Sequence, residues 1–289
     1  MLELKGVTKN DILKDPEHFV ALLREHAAVG FRQIGLERSE FEDVLVSMGF
    51  DDSPIAHDVD HATRFEQIEE SPNLVSSDLF LTWHVEDFYK EHPPTVLALN
   101  MHTFKASWDQ GMTGFVDMHH AYLFLPDKWK EGLSDARAIE EQVAYFSDPL
   151  NHHPSPIIDT DPLTGETVLR IQGYKNATAP PYRIDLDTCK GLTEGDLLEI
   201  NEWAQDYMYT YEAQDWWWWG QGDMVLFGGF RLGHAVSYNE FELGDRVFDR
   251  GAYHGGHDGA WKVPLMDPRK RDGFYQEGVG DNSVTGRPR

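Results

Sequence analysis

The sequence predicts a mainly β fold with helices flanking its sheets. Several short β-rich runs between residues 79 and 125 are separated by turn-forming residues, and more short runs follow between residues 216 and 248. Many short strands with regular turn signals are typical of a sandwich or a barrel. Hydrophobic residues make up 40% of the chain and aromatic residues 12%, which is enough to fill the core of such a fold.

The chain contains no internal repeat and no Pro-, Gly- or Ser-rich linker that would separate two cores. We therefore expect a single domain over residues 1–289. Residues 255–289 are dominated by Gly, Pro and charged residues, so we expect a C-terminal extension or loop-rich tail there.

Four segments have the apolar spacing of helices. The first, within residues 15–30, leads into a strand-like run at residues 29–34, and the second ends at Gly49, where a glycine C-cap is expected. The second covers residues 40–48, and the third and fourth cover residues 133–145 and 193–209.

The remaining apolar runs predict strands. They are LFLTWHV, TVLALNMHTF, TGFVDM and AYLFL, a hairpin over residues 155–172, and strands at residues 216–219, 223–227, 234–237 and 246–248. The polar segment over residues 49–73 is a candidate active-site loop.

The charge balance excludes two classes of partner. Lys and Arg total 25 and Asp and Glu total 50, which gives a formal net charge of −25. Such a surface repels phosphate backbones and anionic headgroups, so we expect neither nucleic acid nor a membrane as a partner. The richest basic stretch, residues 262–271, is interrupted by acidic residues and is interpreted as a solvated loop.

A small molecule is the expected partner, and the sequence leaves homo-oligomer formation open. Cys189 is the single cysteine, so an internal disulfide is excluded. No signal peptide or apolar membrane span is recognisable in the sequence. These features predict a cytoplasmic protein.

The run Trp83-His84-Val85-Glu86 offers a candidate metal site. Residues two apart on a strand face the same side, so the imidazole of His84 and the carboxylate of Glu86 should lie side by side. They would form two-thirds of a 2-His-1-carboxylate facial triad, the arrangement that holds Fe(II) with open positions. Taken alone, the tripeptide is also compatible with a surface pair, and a second histidine must come from elsewhere.

The motifs that follow His84 give the chain its resemblance to a known family. In order, they are Pro93-Pro94, Gly111-Met112-Thr113-Gly114, the Asp161-Pro162-Leu163-Thr164-Gly165 hairpin, Gly222-Asp223, His234, and Arg246 with Arg250. With these motifs the chain resembles the TauD/TfdA-like family of Fe(II)/2-oxoglutarate-dependent dioxygenases, from about residue 15 to about residue 253. Glu86 stands where taurine dioxygenase has Asp, as in clavaminate-synthase-like members.

The resemblance implies a double-stranded β-helix, or jelly roll, that uses Fe(II), 2-oxoglutarate and O2. It implies hydroxylation or desaturation of a small molecule, such as an amino acid or a natural-product intermediate, with release of succinate and CO2. It makes His84, Glu86 and His234 the iron ligands. Thr113 and Arg250 would bind the distal carboxylate of 2-oxoglutarate, and Arg246 matches an earlier arginine near this cosubstrate.

The two arginines also have a physical rationale. Arg246 and Arg250 share a face if their strand is regular, and a guanidinium fork matches a carboxylate. Salt bridges with Asp245 and Asp249 are the alternative. The interval from His234 to Arg250 is one residue longer than the family pattern, so the choice between Arg246 and Arg250 stays open. The usual Asp-Asn before the distal histidine is replaced by residues 228–229, both glycine.

Four residues are candidates for the substrate pocket. Phe80 and Thr82 share the His84 face of a regular strand, and Asn100 and His102 are polar positions on the next strand. For Asn100 and His102, bonding within the protein is the alternative. Alternatives for the function itself are a non-catalytic jelly-roll binding protein and a metal-dependent hydrolase.

Other conspicuous residues are interpreted as structural. The four tryptophans of residues 216–219 alternate between two faces of a strand, so core packing is favoured over an aromatic cage. The histidine pairs at residues 119–120 and 152–153 have no matching Cys or acidic pattern, and the histidines at residues 254 and 257 lie in a glycine-rich segment expected to be a loop.

Overall fold

The computed structural model describes residues 1–50, 65–69, 83–86, 93–105, 107, 110–140, 154–171, 182–237 and 245–253. Predictions about Phe80, Thr82, most of residues 49–73, the histidines at 152, 153, 254 and 257, and the tail at residues 255–289 lie outside the described residues.

The described chain contains strands throughout, with helices between some of them. The strands are β1 (Leu2–Lys5), β2 (Ala28–Arg32), β3 (Phe65–Glu69), β4 (Val96–Phe104), β5 (Thr113–Asp117), β6 (Arg137–Glu140), β7 (Ser155–Pro156), β8 (Ile158–Thr160), β9 (Thr167–Leu169), β10 (Tyr182–Ile184), β11 (Gln214–Trp217), β12 (Met224–Gly228), β13 (Leu232–Val236) and β14 (Arg246–Tyr253). The helices are α1 (Lys9–Lys14), α2 (Pro16–His26), α3 (Arg38–Ser47), α4 (Met118–Phe124), α5 (Asp127–Gly132) and α6 (Glu194–Tyr209).

Local sequence signals begin and end most of the helices. Asp15 caps α2 through the backbone N–H of His18, and Thr193 forms a capping box with Asp196 at the start of α6. Gly49 follows α3 with a φ of 79°, as expected of a C-terminal glycine. Among the described residues, no helix is long and apolar enough to cross a membrane.

The larger sheet has the strand order β1-β2-β12-β4-β14-β3, and only its β1–β2 pair is parallel. Its two faces carry different apolar clusters because neighbouring residues on a strand point to opposite sides. One face packs with α1 to α3, through residues such as Phe19, Phe41 and Leu226. The other face contributes Leu97, Met101 and other side chains to the core between the sheets.

The smaller sheet is antiparallel, with the order β11-β5-β13. Phe115 from this sheet meets Phe227 from the larger sheet, with ring centroids 5.0 Å apart. The opposite face of the smaller sheet is covered by a third cluster that includes Ile200 and Ala204 of α6. Two facing sheets with helices on both outer sides agree with the predicted mixture of β core and flanking helices.

Two predicted elements are wrong. The run AYLFL belongs mainly to helix α4, because Asp117 caps a helix there by accepting the backbone N–H of His119. Met118 and Ala121, three apart, are buried, while Phe124 is exposed. The helix predicted at residues 133–145 is replaced by β6 where the structure describes it, and β6 pairs with β7 and β10. The hairpin of β8 and β9 is confirmed.

Candidate metal centre

A backbone bridge brings the two candidate histidine ligands together. The His84 N–H donates to the His234 carbonyl at 3.0 Å, and the His234 N–H donates to the His84 carbonyl at 2.8 Å. This antiparallel pair extends the smaller sheet beyond β13, and the two imidazole centroids lie 4.2 Å apart. Glu86 follows two residues after His84, and its carboxylate reaches the same point.

The three side chains form a compact donor set. Oε2 of Glu86 lies 3.4 Å from Nε2 of His234 and 3.8 Å from Nε2 of His84. One ligand atom from each residue lies within 4.8 Å of the others, and no other group of this kind occurs among the described residues. Two imidazole nitrogens and one carboxylate oxygen suit Fe(II) and leave coordination positions open for other ligands. The residues therefore fit the expected metal.

Glu86 lies among positive or potentially positive groups. Burial alone would raise the pKa of Glu86, but the hydrogen bond with His234 and the charges of Arg250, His84 and His234 lower it below its usual range. The Arg250 Nη2 lies 2.6 Å from Oε1 of Glu86. The carboxylate is therefore ionised, as a metal ligand must be.

The two arginines of β14 differ in depth. Arg246 and Arg250 lie on the inner face of β14. Arg246 pairs with Phe104 and Arg250 with Leu99, and both partners pack against the core between the sheets, although the pairing shifts register between Val247 and Phe248. Arg246 is 2% exposed, whereas the side chain of Arg250 is 29% exposed. The Arg246 guanidinium lies 4.9 Å from the centroid of the Phe248 ring, so it extends along the strand towards Arg250.

Thr113 lies on the inner face of the smaller sheet. It pairs with Val236 of β13, and Phe115 on the same face of β5 pairs with His234. The Thr113 hydroxyl is therefore one diagonal step across the sheet from a metal ligand. Its oxygen accepts a hydrogen bond from Nε1 of Trp219 at 2.9 Å.

Asn100 and His102 lie on the other face of β4. Asn100 pairs with Asp249 and Leu99 with Arg250, so Leu99 faces the metal ligands and Asn100 faces away. Asn100 donates to the carbonyl of Leu36 at 3.0 Å, and His102 lies 2.6 Å from the carboxylate of Asp249. For these two residues the structure thus favours hydrogen bonding within the protein over contact with the substrate.

The tryptophan run packs in the core, as expected. Trp217 and Trp219 are 2% and 5% exposed and lie between the sheets, whereas Trp216 packs with Trp83 on the opposite face. The bond from Trp219 to Thr113 was not predicted from the sequence. The alternation of the run contained a signal for it, since Trp217 pairs with Thr113 and Trp219 follows on the same side.

The remaining histidine pair of the described chain has a structural role. His119 lies in α4, and its Nδ1 is 2.8 Å from the carbonyl of Thr167 in β9. This contact is consistent with the structural interpretation of the pair made from the sequence.

The fold and the site together are typical of non-haem Fe(II) oxygenases. Two facing, mainly antiparallel sheets carry a 2-His-1-carboxylate set between them, with a buried arginine and a threonine hydroxyl on the surrounding strands.

Comparison with protein families identifies the class further. The family described as taurine catabolism dioxygenase TauD, TfdA family matches residues 5–250. The chain therefore belongs to the TauD/TfdA family of Fe(II)/2-oxoglutarate-dependent dioxygenases. The predicted resemblance is confirmed. No curated protein matched the sequence.

Solved structures of the same fold agree with this assignment. A taurine dioxygenase from Burkholderia xenovorans is 20% identical, with a TM-score of 0.64 over 89% of this chain and 90% of that chain. PvcB, an Fe, alpha-ketoglutarate dependent oxygenase from an isonitrile synthetic pathway, is 16% identical, with a TM-score of 0.64 over 88% and 85%. AAD-2 in complex with Mn(II) and N-oxalylglycine is 14% identical, with a TM-score of 0.63 over 92% and 94%. At these identities the likeness concerns the fold.

Proposed function

We propose that this dioxygenase hydroxylates or desaturates a small organic molecule, such as an amino acid or a natural-product intermediate, at a site formed by His84, Glu86 and His234. The observation that carries the proposal is the convergence of these three side chains, with Arg250 bound to the carboxylate. The proposed architecture is a single jelly-roll domain, which the match over residues 5–250 supports.

The metal ligands come from two segments that pair with each other. When bound, Fe(II) would allow O2 to oxidise 2-oxoglutarate to succinate and CO2, and this would supply the oxidising power that cleaves a C–H bond of the substrate. The protein's contribution is geometric. The His84–His234 backbone bridge fixes the spacing of the two imidazoles, and Arg250 holds the Glu86 carboxylate in one orientation.

The cosubstrate should lie with its distal carboxylate between Arg246 and Thr113. In 2-oxoglutarate two methylene groups separate the distal carboxylate from the keto acid end, which is the end that binds a metal. Arg250 already contacts a metal ligand, so a group that it binds lies next to the metal. Arg246 is deeper and more buried, and a buried guanidinium is a strong partner for a carboxylate. This geometry favours Arg246 over Arg250 for the distal end.

The open side of the site lies towards His84, whose side chain is 38% exposed, compared with 13% for His234. A substrate would approach from this direction. Phe80 and Thr82 remain proposed pocket residues, because they precede His84 in the chain by four and two positions. The named relatives act in taurine oxidation and in isonitrile synthesis, which supports a small organic substrate without defining it.

Two measurements test the proposal. Under anaerobic conditions, Fe(II) plus 2-oxoglutarate should give a weak visible charge-transfer band, which His234→Ala should lack. Succinate release should then be screened with sulfonates, aryloxyacetates, amino acids and natural-product intermediates, followed by the mass of the product.

Each alternative predicts a different result in these measurements. A protein that shows neither the band nor succinate release would be a non-catalytic binding protein. Turnover of a substrate without consumption of 2-oxoglutarate would identify a metal-dependent hydrolase.

A further inference from the structure

Trp219 has a contact that core packing does not require. Its indole Nε1 donates to the Thr113 hydroxyl at 2.9 Å, and this bond joins residues far apart in the sequence in a buried location. Trp219 is 5% exposed and Thr113 is 4% exposed.

The chemistry of the two groups fixes the direction of the bond. An indole N–H only donates, whereas a hydroxyl has one proton to donate and two lone pairs that accept. Because Trp219 occupies a lone pair of Thr113, the hydroxyl proton must point elsewhere. Thr113 is thereby prepared as a donor, which is the role that a carboxylate ligand requires.

The position of the indole ring is itself well determined. Trp219 packs edge-on against Trp217, with ring centroids 6.1 Å apart and an interplanar angle of 78°. Trp217 lies over Gly30, where a Cβ would overlap the ring, and the Arg32 guanidinium carbon is 3.5 Å from the centroid of its ring.

The backbone on both sides of Trp219 is also held. The Trp218 carbonyl accepts from Arg32 at 2.6 Å, and the Gly220 N–H donates to Asp223 at 2.8 Å. The Asp of the Gly-Asp motif therefore fixes the turn that presents Trp219. A ring held in this way can impose an orientation on its hydrogen-bond partner.

From these contacts we infer that Trp219 is a positioning residue for the cosubstrate, which orients the Thr113 hydroxyl as a donor to the distal carboxylate of 2-oxoglutarate. The inference rests on the proposed role of Thr113. It assigns a function to one member of the tryptophan run, beyond its packing in the core.

The test is a double-mutant cycle on equilibrium binding. Calorimetry measures the dissociation constant of 2-oxoglutarate for the Mn(II)-loaded protein, so that no turnover occurs. Thr113→Val keeps the shape and removes the hydroxyl, and we expect roughly tenfold weaker binding. Trp219→Phe keeps an aromatic ring and removes the N–H, and we expect roughly three- to tenfold weaker binding. In the Thr113→Val background, Trp219→Phe should have no further effect.

Two variants serve as matched controls. Thr113→Ser keeps the hydroxyl. In this variant, Trp219→Phe should therefore weaken 2-oxoglutarate binding as much as it does in the wild type. Trp216→Phe removes an indole N–H that donates to Gln214 at 3.1 Å on the opposite face, and binding should be unchanged.

The possible failures are distinguishable. If the wild-type protein does not bind 2-oxoglutarate, the proposed function fails. Normal binding by Thr113→Val would overturn the roles of both Thr113 and Trp219. An equal loss from Trp219→Phe in the wild-type and Thr113→Val backgrounds would overturn only the role of Trp219. In both cases the proposed function would stand.

A further measurement needs no change at Trp219. In Zn(II)-loaded protein with 15N-labelled indoles, 2-oxoglutarate should shift the indole resonance that Thr113→Val also shifts. An unchanged resonance would overturn the inference even if Trp219→Phe does not fold.

Discussion

Each ligand of the proposed metal has neighbours that prepare it for binding. Glu86 is held ionised by Arg250 and by the two histidines, and His234 is fixed by its backbone bridge with His84. A facial triad has no spare protein ligand, so removing any one of the three leaves an incomplete site.

Alanine at His84, Glu86 or His234 should therefore abolish Fe(II) binding at micromolar metal, together with turnover. Equilibrium dialysis of the anaerobic protein measures the bound metal. His119→Ala is the control, because His119 contacts the Thr167 carbonyl in another part of the fold. Metal retention by a triad variant at the wild-type level would refute the site.

The two arginines of β14 should differ in their effect on the cosubstrate. Because Arg246 is buried and Arg250 is engaged with Glu86, Arg246→Gln should weaken 2-oxoglutarate binding more than Arg250→Gln, with a loss of about 2–4 kcal/mol. Titration of the metal-loaded variants measures both constants. The opposite order would support the assignment implied by the family resemblance, in which Arg250 binds the distal carboxylate.

Some of these residues could be predicted from the sequence and others could not. The alternation of side chains along a strand was sufficient to predict that His84 and Glu86 lie side by side. The order of the motifs indicated His234 as the third ligand. The assignment of Asn100 and His102 to a pocket was not supported, because alternation fixes only that two residues share a face. Which face turns inward depends on sheet pairing, here Asn100 with Asp249.

The glycine pair at the end of β12, Gly228 and Gly229, has a geometric explanation. An ideal Cβ on Gly229 would lie 2.9 Å from the Pro94 carbonyl oxygen and 3.0 Å from Leu97. An ideal Cβ on Gly228 would lie 3.6 Å from its nearest neighbour, in Arg231, which is ordinary contact. Of the two, only Gly229 must lack a side chain for the backbone to lie this close to Pro94 and Leu97.

Gly229→Ala should destabilise the fold by about 1–3 kcal/mol, because the carbonyl of Pro94 cannot move without disturbing the chain that leads into β4. Gly228→Ala is the matched control and should change the free energy of unfolding by less than about 0.5 kcal/mol. Urea denaturation measures both. Equal losses in the two variants would show that conformational freedom of the backbone, and not the close contact, determines this site.

Asp117 connects β5 to both α4 and β13. Its carboxylate caps α4 and receives a two-point hydrogen bond from Arg231, at 3.0 and 2.6 Å. Burial alone would raise the pKa of Asp117, but the hydrogen bonds and charge of Arg231 lower it below its usual range. A lowered pKa in the folded state stabilises the protein above the unfolded value of about 3.9, and this contribution is lost as the pH falls through the folded pKa.

Asp117→Asn keeps a capping oxygen and removes the charge, so it should lower the free energy of unfolding by about 1–3 kcal/mol at pH 7. The difference from the wild type should shrink below about pH 4, as measured by urea denaturation at several pH values. Asp43→Asn is the control, since the Asp43 side chain is 62% exposed where it pairs with Lys9. A difference that persists undiminished at low pH would mean that charge is not the cause.

Elements with strong local signals were predicted better than elements that depend on distant pairing. The capped helices α2, α3 and α6 were predicted because their first residues and apolar spacing act within one turn. Helix α4 was predicted as a strand because its apolar run is short. Strand β6 was not predicted, because it is defined by its pairing with β7 and β10. A short apolar run does not distinguish helix from strand.

For the protein as a whole, the sequence predicted the class of fold but not the facing of its sheets. Strand-rich composition and the motif order indicated a β core, whereas the site depends on the contact between β13 of one sheet and β14 of the other, through His234, Glu86 and Arg250. The net charge of −25 is also a property of the whole molecule, because its electrostatic field acts on every ligand that approaches this site.

The net charge predicts opposite salt effects for the two ligands. Fe(II) is a cation and 2-oxoglutarate a dianion, so a surface of charge −25 attracts the first and repels the second. Raising the salt from about 10 to 200 mM screens these long-range fields, while the buried Arg246 is screened much less. Association of 2-oxoglutarate with the anaerobic Fe(II) protein should accelerate by roughly three- to tenfold, and association of Fe(II) with the apoprotein should slow by a similar factor. Stopped-flow absorbance and tryptophan fluorescence measure the two rates. If 2-oxoglutarate also associates more slowly at high salt, the arginines at the site control its approach, and the net charge does not.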